Sequence, residues 1–146
     1  MKVTTIAAVM ATGLTGLASA ANGMLKTCTT FSLTGMPTPK GGSMMLSAWC
    51  NPHSGSKVFS QVDLNKCFGW DAGKCGFTYP PASGFTDVVG TCSNIHSGDS
   101  DFGNNFGCWG PCDNGNNKVD FNISSTVFNV FALNSYIGNS NGHLVC

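Results

Sequence analysis

The sequence contains no Glu and no Arg, and its few charged side chains are seven Lys and seven Asp, with a formal net charge of zero. A glycosidase built on a pair of Glu residues and a phosphate clamp built on an Arg fork are therefore excluded in their usual form. A nucleic-acid-binding surface is excluded as well, because displacing counterions from phosphates requires clustered Lys and Arg.

Long hydrophobic runs are absent after residue 20. The first twenty residues have a basic start at Lys2, an apolar stretch at Val3–Leu17 and the small-residue pattern Ala18-Ser19-Ala20. This arrangement is typical of a cleaved signal peptide. We therefore expect a secretory signal peptide over residues 1–20 and one secreted, extracellular domain over residues 21–146. No later window approaches the roughly 20 apolar residues that a membrane span needs, so no membrane contact is predicted.

Eight cysteines follow the predicted signal peptide, and no two of them are adjacent. An even cysteine count in an exported chain favours disulfides. The evidence for a zinc site is weak, because only one pair of cysteines, Cys108 and Cys112, has the close spacing of metal ligands. The same two cysteines have three residues between them, whereas thioredoxin-like redox centres have two. We interpret all eight cysteines as structural and expect neither a metal ion nor another cofactor.

An internal repeat runs through the chain after the predicted signal peptide. Residues 62–73 align with residues 131–142, and Leu, Asn and two Gly residues coincide. Each copy is preceded by two cysteines, the first of which follows a Thr. These pairs are Cys28 with Cys50 and Cys92 with Cys108. The chain is therefore predicted to be a tandem duplication, with repeat one at about 24–80 and repeat two at about 85–146.

Short runs of β-branched, aromatic and polar residues between Gly, Asn, Pro and Ser predict strands, and no helical period is found. Asn141-Gly142 is the two-residue signal of a type I′ hairpin, in which both central residues need a positive φ. Ala72-Gly73 holds the equivalent place in repeat one. Each repeat is thus expected to end in a hairpin that follows a short helical turn, at Leu64-Asn65 or Leu133-Asn134. The predicted strands are 44–49, 57–64, 86–89, 118–123 and 126–133.

The duplicated pattern resembles the cyanovirin-N homologue family. It consists of a Thr-Cys start, a second Cys, a Leu-Asn turn, a hydrophobic-Gly pair and an Asn-Gly hairpin. The match covers nearly the whole domain and is most specific over residues 133–145. The resemblance implies an all-β, cyanovirin-N-like pseudo-twofold domain of two interleaved repeats, in which each half combines the Cys loop of one repeat with the hairpin of the other. It also implies a non-catalytic lectin for mannose-rich glycans.

The resemblance further implies two glycan pockets at the far ends of the domain. Amide, hydroxyl and backbone groups can bind neighbouring sugar hydroxyls without an ionised group. The second pocket is the weaker one because apolar residues replace polar ones in its turn, although Trp70 or Trp109 can stack on a pyranose face. The first pocket comprises Lys26, Thr27, Asn51, His53, Asn139, Ser140 and Asn141. The second pocket comprises Trp70, Asp71, Asp87, Thr91, Trp109 and Gly110.

The repeat also suggests a disulfide pairing among the many that eight cysteines allow. Two disulfides close homologous loops, a third closes the turn of the first hairpin, and a fourth joins the two cysteines that remain. The expected disulfides are Cys28–Cys50, Cys92–Cys108, Cys67–Cys75 and Cys112–Cys146.

Three classes of function stay open. The first is a lectin whose partners are oligomannose or other glycans, and neither nucleic acid nor a membrane. The second is a secreted, cysteine-rich scaffold or effector-like protein that has lost sugar binding. The third is a hydrolase or nuclease using His and Asp, for which no nucleophile–base motif is found. Asn122 begins an N-glycosylation acceptor motif, Asn122-Ile123-Ser124, for which a surface loop is expected. We expect either a monomer or a domain-swapped dimer, because exchanging identical halves preserves their contacts.

Overall fold

The computed structural model describes residues 23–36, 38, 41–95, 104–113 and 126–146. The predicted signal peptide, the predicted strand 118–123 and Asn122 lie outside these described residues. Within them the chain forms mainly β-structure, with two four-residue helices, α1 (Met24–Thr27) and α2 (Leu64–Cys67), and a 3₁₀ helix at Leu133–Ser135. The strands are β1 (Cys28–Thr34), β2 (Met45–Cys50), β3 (Val58–Asp63), β4 (Gly69–Asp71), β5 (Gly76–Thr78), β6 (Cys92–Ile95), β7 (Asn105–Pro111), β8 (Thr126–Ala132), β9 (Gly138–Ser140) and β10 (His143–Val145).

Each repeat contributes an antiparallel sheet followed by a hairpin. In the described part of the chain, repeat one forms the sheet β1-β2-β3 and the hairpin β4-β5, and repeat two forms the sheet β6-β7-β8 and the hairpin β9-β10. The predicted strands 44–49, 57–64 and 126–133 are confirmed by β2, β3 and β8.

The predicted strand 86–89 is wrong, because this segment is a turn. The side-chain Oδ1 of Asn65 accepts the backbone N–H groups of Phe85 at 2.8 Å and of Thr86 at 3.0 Å. The backbone N–H groups of Val88 and Val89 donate to the carbonyl oxygen of Phe85, each at 3.1 Å. These local bonds occupy donors that a strand would offer to a neighbouring strand.

The second hairpin has the predicted turn and the first does not. Asn141 and Gly142 both have positive φ, 49° and 89°, which confirms the type I′ geometry. The first hairpin instead has a longer loop, 72–75, in which Cys75 has a φ of 56°. Asp71 stabilises this loop, because its Oδ1 accepts the N–H groups of Gly73 and Lys74 at 2.9 and 3.2 Å.

A short helical turn precedes each hairpin, as predicted. The carboxylate of Asp63 caps α2 by accepting the N–H of Asn65 at 3.0 Å. The first residue of each turn, Leu64 or Leu133, is completely buried. Each Leu therefore fixes the point at which the chain leaves its sheet and enters its hairpin.

The two repeats are interleaved, as expected. The hairpin β9-β10 of repeat two packs against β2 and β3 of repeat one, and the N–H of Leu144 donates to Ser60 Oγ at 2.8 Å. In the other half, β5 of repeat one packs against β8 of repeat two, and the N–H of Phe77 donates to Asn129 Oδ1 at 3.3 Å. Each half of the domain therefore contains a sheet from one repeat and a hairpin from the other.

Aromatic rings from both repeats share one core. Phe77, on the hairpin of repeat one, has its ring centroid 4.4 Å from that of Phe131 and 6.0 Å from that of Phe106, both in repeat two. Phe85 and Phe106 are completely buried. Burying such a side chain contributes about 1.5–3 kcal/mol, so separating the repeats would expose a large part of the core.

Two of the expected disulfides are confirmed and two are wrong. Cys28–Cys50 and Cys92–Cys108 join direct cross-strand partners in the two sheets. The expected pairs Cys67–Cys75 and Cys112–Cys146 are not formed. The structure contains Cys67–Cys146 and Cys75–Cys112 instead. Both observed bonds join one repeat to the other, because each hairpin packs on the opposite repeat and its flanking cysteines therefore meet partners from that repeat.

Candidate functional site

The first pocket lies where the segment after β2 meets the turn of the hairpin β9-β10. Asn139 Nδ2 donates to the carbonyl oxygen of Asn51 at 2.7 Å, and the N–H of His53 donates to Asn141 Oδ1 at 3.0 Å. Within the turn, the N–H of Gly142 donates to Asn139 Oδ1 at 2.7 Å. Two asparagine side chains of repeat two thus hold a loop of repeat one in place.

The remaining residues of the first pocket border this junction. The N–H of Asn51 donates to the carbonyl oxygen of Thr27 at 2.9 Å, which places the end of α1 beside the loop. Lys26 and Ser140, the chain neighbours of Thr27 and Asn139, are exposed. The structure therefore brings the predicted residues of the first pocket together.

The first-pocket residues divide into two roles. The amide of Asn139 uses both its oxygen and its nitrogen inside the junction, so this residue positions the site. The side chains of Lys26, Asn51 and His53 are exposed, and Asn141 is exposed with its Oδ1 engaged. The exposed groups offer both hydrogen-bond donors and acceptors, a combination that suits a neutral polar ligand.

The second pocket is less open to a ligand. Trp70 is buried, and its Nε1–H donates to the carbonyl oxygen of Pro111 at 2.8 Å. Gly110 lies against the Trp70 ring so closely that a Cβ at this position would overlap the ring. Trp70 is therefore a core residue and does not present a face for stacking.

One acidic residue of the second pocket, Asp71, is engaged within its own loop. Asp71 caps its own loop and lies 3.8 Å from Lys74 Nζ. Asp87 is exposed and lies beside Gly41. Thr91 and Trp109 do lie together, because the N–H of Trp109 donates to the carbonyl oxygen of Thr91 at 2.9 Å. Of the second pocket, the structure thus brings together Thr91 and the exposed Trp109.

Two aromatic pairs on the sheets were not predicted from the sequence, although Trp109 was named as a stacking residue of the second pocket. Trp49 packs on Phe59 in the first sheet with ring centroids 5.6 Å apart, and Trp109 packs on Phe128 in the second with centroids 5.3 Å apart. Strand alternation could have indicated the first pair, since Trp49 adjoins the buried disulfide residue Cys50 and must point the other way.

A cleft of about 200 Å³ also lies between β5, β8 and the helical turns that precede the hairpins. Its walls are mostly aromatic, and Thr78 and Asn129 supply polar groups. The amide oxygen of Asn129 is already engaged by the N–H of Phe77. The other lining residues are Phe68, Phe77, Tyr79, Val130, Phe131 and Tyr136.

Within the described ranges, no group of three or more His, Cys, Asp or Glu side chains is arranged to hold a metal ion. In the same part of the chain, no helix is long and apolar enough to cross a membrane. The cysteines of this part of the chain are all paired in disulfides. The first pocket brings together polar groups of two segments from different repeats.

The structure is an all-β domain of two interleaved, disulfide-bonded repeats, with a polar pocket formed by both repeats. The family model of the CVNH domain matches residues 25–145. The chain belongs to the CVNH family, the cyanovirin-N homologues, whose proteins are lectins.

Solved structures show the same fold. GzCVNH from Gibberella zeae is 19% identical, with a TM-score of 0.55 over 84% of this chain and 94% of that protein. A MoCVNH3 variant, solved in complex with (N-GlcNAc)4, is 15% identical, with a TM-score of 0.53 over 86% of this chain and 97% of that protein. At these identities the likeness concerns the fold alone. Among curated proteins, none matches this chain.

Proposed function

We propose that this protein is a secreted, non-catalytic lectin that binds neutral, mannose-rich glycans through the first pocket. The observation that carries the proposal is the junction of Asn51 and His53 with Asn139 and Asn141, two segments from different repeats joined by side-chain hydrogen bonds. Secretion is supported by the signal-peptide pattern of residues 1–20 and by the pairing of all eight cysteines in disulfides.

The chemistry of the first pocket suits sugar hydroxyls better than a charged ligand. Its seven residues include one formal charge, that of the exposed Lys26, and no carboxylate. A sugar hydroxyl both donates and accepts, so an amide beside backbone groups can satisfy it in both senses. Because Asn139 and Asn141 are already held by the loop they contact, little ordering is needed when a ligand binds.

N-acetylglucosamine oligomers are a second candidate ligand class. The MoCVNH3 variant, which shares the fold, was solved with (N-GlcNAc)4. The two ligand classes are separated by titrating the protein with both. Because Trp70 is buried and Asp71 is engaged with its own loop, we further propose that the first pocket alone is active and that the protein binds with a stoichiometry of one.

The test is calorimetric titration of the oxidised protein with oligomannose and with N-acetylglucosamine oligomers. Asn51→Ala removes an exposed amide and is expected to weaken binding by about ten-fold or more, the cost of a lost hydrogen bond to a desolvated partner. Circular dichroism should show an unchanged fold, because the structural bonds of Asn51 involve its backbone.

Asp71→Asn in the second pocket is the control, since it alters one half-buried polar group there without changing its size. We expect it to leave affinity and stoichiometry unchanged. Binding that survives Asn51→Ala, or that is lost in Asp71→Asn, would place the site elsewhere. If the folded wild-type protein bound neither glycan class, the scaffold function would replace the lectin function.

A further inference from the structure

The outer face of the sheet β1-β2-β3 carries an aromatic pair that the core does not use. Trp49 and Phe59 are direct cross-strand partners, and their rings are inclined by 59°. Trp49 is 44% exposed and Phe59 is 50% exposed. Roughly half of each side chain therefore stays in contact with water, on the face opposite to the buried Cys50 and Ser60.

Polar side chains stand beside the aromatic pair on the same face. Thr29 is the cross-strand partner of Trp49 on β1, and its hydroxyl accepts a hydrogen bond from Lys57 Nζ at 3.0 Å. Gln61, further along β3, donates from its Nε2 to Ser47 Oγ at 3.0 Å. The rings are thus flanked by hydroxyl, amide and ammonium groups, and these four flanking residues carry no negative charge.

The size of the exposed aromatic area argues against a protein partner. A Trp or Phe side chain offers about 150–250 Å² when fully exposed, so the exposed halves of Trp49 and Phe59 together present about 200 Å². A stable dimer buries about 800 Å² on each partner. The pair is too small for such an interface, whereas a single pyranose ring covers an area of this order.

The aromatic pair is continuous with the first pocket. The pairing of β1 with β2 continues one residue beyond Cys28 and Cys50. The N–H of Asn51, the residue after Cys50, donates to the carbonyl oxygen of Thr27 at 2.9 Å. Asn51 follows Trp49 by two residues, so on this extended segment their side chains share a face about 7 Å apart. Neighbouring units of one oligosaccharide can bridge such a distance.

We propose that Trp49 and Phe59 form a stacking subsite that extends the first pocket and binds one unit of a β-1,4-linked oligosaccharide. A pyranose whose substituents are equatorial presents a flat face of C–H bonds, which fits the electron-rich face of an aromatic ring. The hydroxyl groups at the edge of that pyranose then reach Thr29 and Lys57. Mannose has an axial hydroxyl that interrupts one face, so the subsite favours gluco-configured units. This inference rests on the proposed lectin function.

The experiment is calorimetric titration of the full chain with β-1,4-linked N-acetylglucosamine oligomers of one to four units, and separately with α-1,2-linked mannobiose. In the wild-type protein, affinity for the oligomers should rise with length. Trp49→Ala combined with Phe59→Ala should lower the affinity for the tetramer about ten-fold and leave the affinity for the single sugar unchanged. The single substitution Trp49→Phe keeps an aromatic ring beside Phe59. This variant should therefore retain much of the increase in affinity with oligomer length that the wild-type protein shows.

Val130→Ala is the control, because Val130 is an apolar side chain on the other sheet with a similar exposure of 42%. It should bind like the wild-type protein, and thermal unfolding should show that every variant is folded. Mannobiose binding through the first pocket with no gain along the N-acetylglucosamine series would overturn the subsite alone. An increase in affinity with oligomer length that persists when both Trp49 and Phe59 are replaced by Ala would also overturn the subsite. A folded wild-type protein that binds neither series would overturn the lectin function together with the subsite.

Discussion

Replacing Phe68 by Ala is expected to lower the free energy of unfolding by about 3–5 kcal/mol, the cost of removing a buried aromatic ring and leaving a cavity. Phe68 is 1% exposed and follows α2, where the chain enters the first hairpin. Its ring centroid lies 4.4 Å from that of Phe131 and 5.7 Å from that of Tyr136, both in repeat two. The substitution therefore weakens contacts within one repeat and contacts between the repeats.

Urea unfolding at equilibrium, followed by tryptophan fluorescence and by circular dichroism, measures this loss. Phe59→Ala is the matched control, because it removes the same side chain from a position that is 50% exposed, and it should cost about 1 kcal/mol or less. Equal losses from the two substitutions would mean that Phe68 does not connect the repeats. Coincident transitions from the two probes would show that the halves unfold together.

Sequence patterns within a few residues correctly predicted features, such as tight turns, whose geometry is set by neighbouring residues. Asn141-Gly142 indicated a type I′ turn because few residue pairs accept two positive φ angles, and the turn is present. The segment 86–89 looked like a strand because it contains Val88 and Val89. It is a turn because Asn65, distant in the sequence, binds the N–H groups of Phe85 and Thr86. A contact of this kind leaves no local signal.

The two wrong disulfides have a similar cause. Cys67 and Cys75 flank a hairpin and are close in sequence, so joining them was the local solution. The hairpin packs on the other repeat, and Cys75 therefore meets Cys112 while Cys67 meets Cys146. The exchange of hairpins was implied by the family resemblance, but its effect on cysteine pairing requires the three-dimensional arrangement.

The candidate site was predictable in its position and not in the roles of its residues. The pattern placed Asn139 and Trp70 in equivalent pockets. In the structure Asn139 joins two segments, whereas Trp70 fills space beside Gly110 and is buried. The two residues differ because a polar turn residue can bind a neighbouring backbone, while an indole beside a glycine packs against it. Equivalent positions in a duplicated chain therefore need not share a function.

The interleaving of the repeats makes the proposed binding site depend on the whole fold. Asn51 and His53 come from repeat one, and Asn139 and Asn141 come from repeat two. A change that loosens the hairpin β9-β10 therefore acts on the first pocket even when it lies outside the pocket. A ligand that binds the joined segments should in turn stabilise the folded protein by mass action.

Removing the disulfide Cys67–Cys146 is expected to have the largest effect among the four disulfides. The bond joins residues separated by 79 positions, and the loop-closure relation gives about 4.5 kcal/mol for a loop of this length. Cys92–Cys108 spans 16 positions, for which the same relation gives about 3 kcal/mol. Cys67→Ala combined with Cys146→Ala should therefore lower the free energy of unfolding by more than the matched pair of substitutions at Cys92 and Cys108.

Removing the Cys67–Cys146 disulfide is also expected to weaken glycan binding, because the bond lies next to the hairpin that forms the first pocket. Cys146 directly follows β10, the partner of the strand that carries Asn139, and Cys67 lies at the end of α2 in the other repeat. Freeing the end of β10 allows the hairpin to separate from repeat one, so glycan affinity in the first pocket should fall together with stability, and saturating ligand should restore part of that stability. Urea unfolding with and without ligand measures both effects. An equal or larger loss from opening the shorter loop, or full affinity in the Cys67→Ala/Cys146→Ala protein, would contradict this coupling between the terminal disulfide and the pocket.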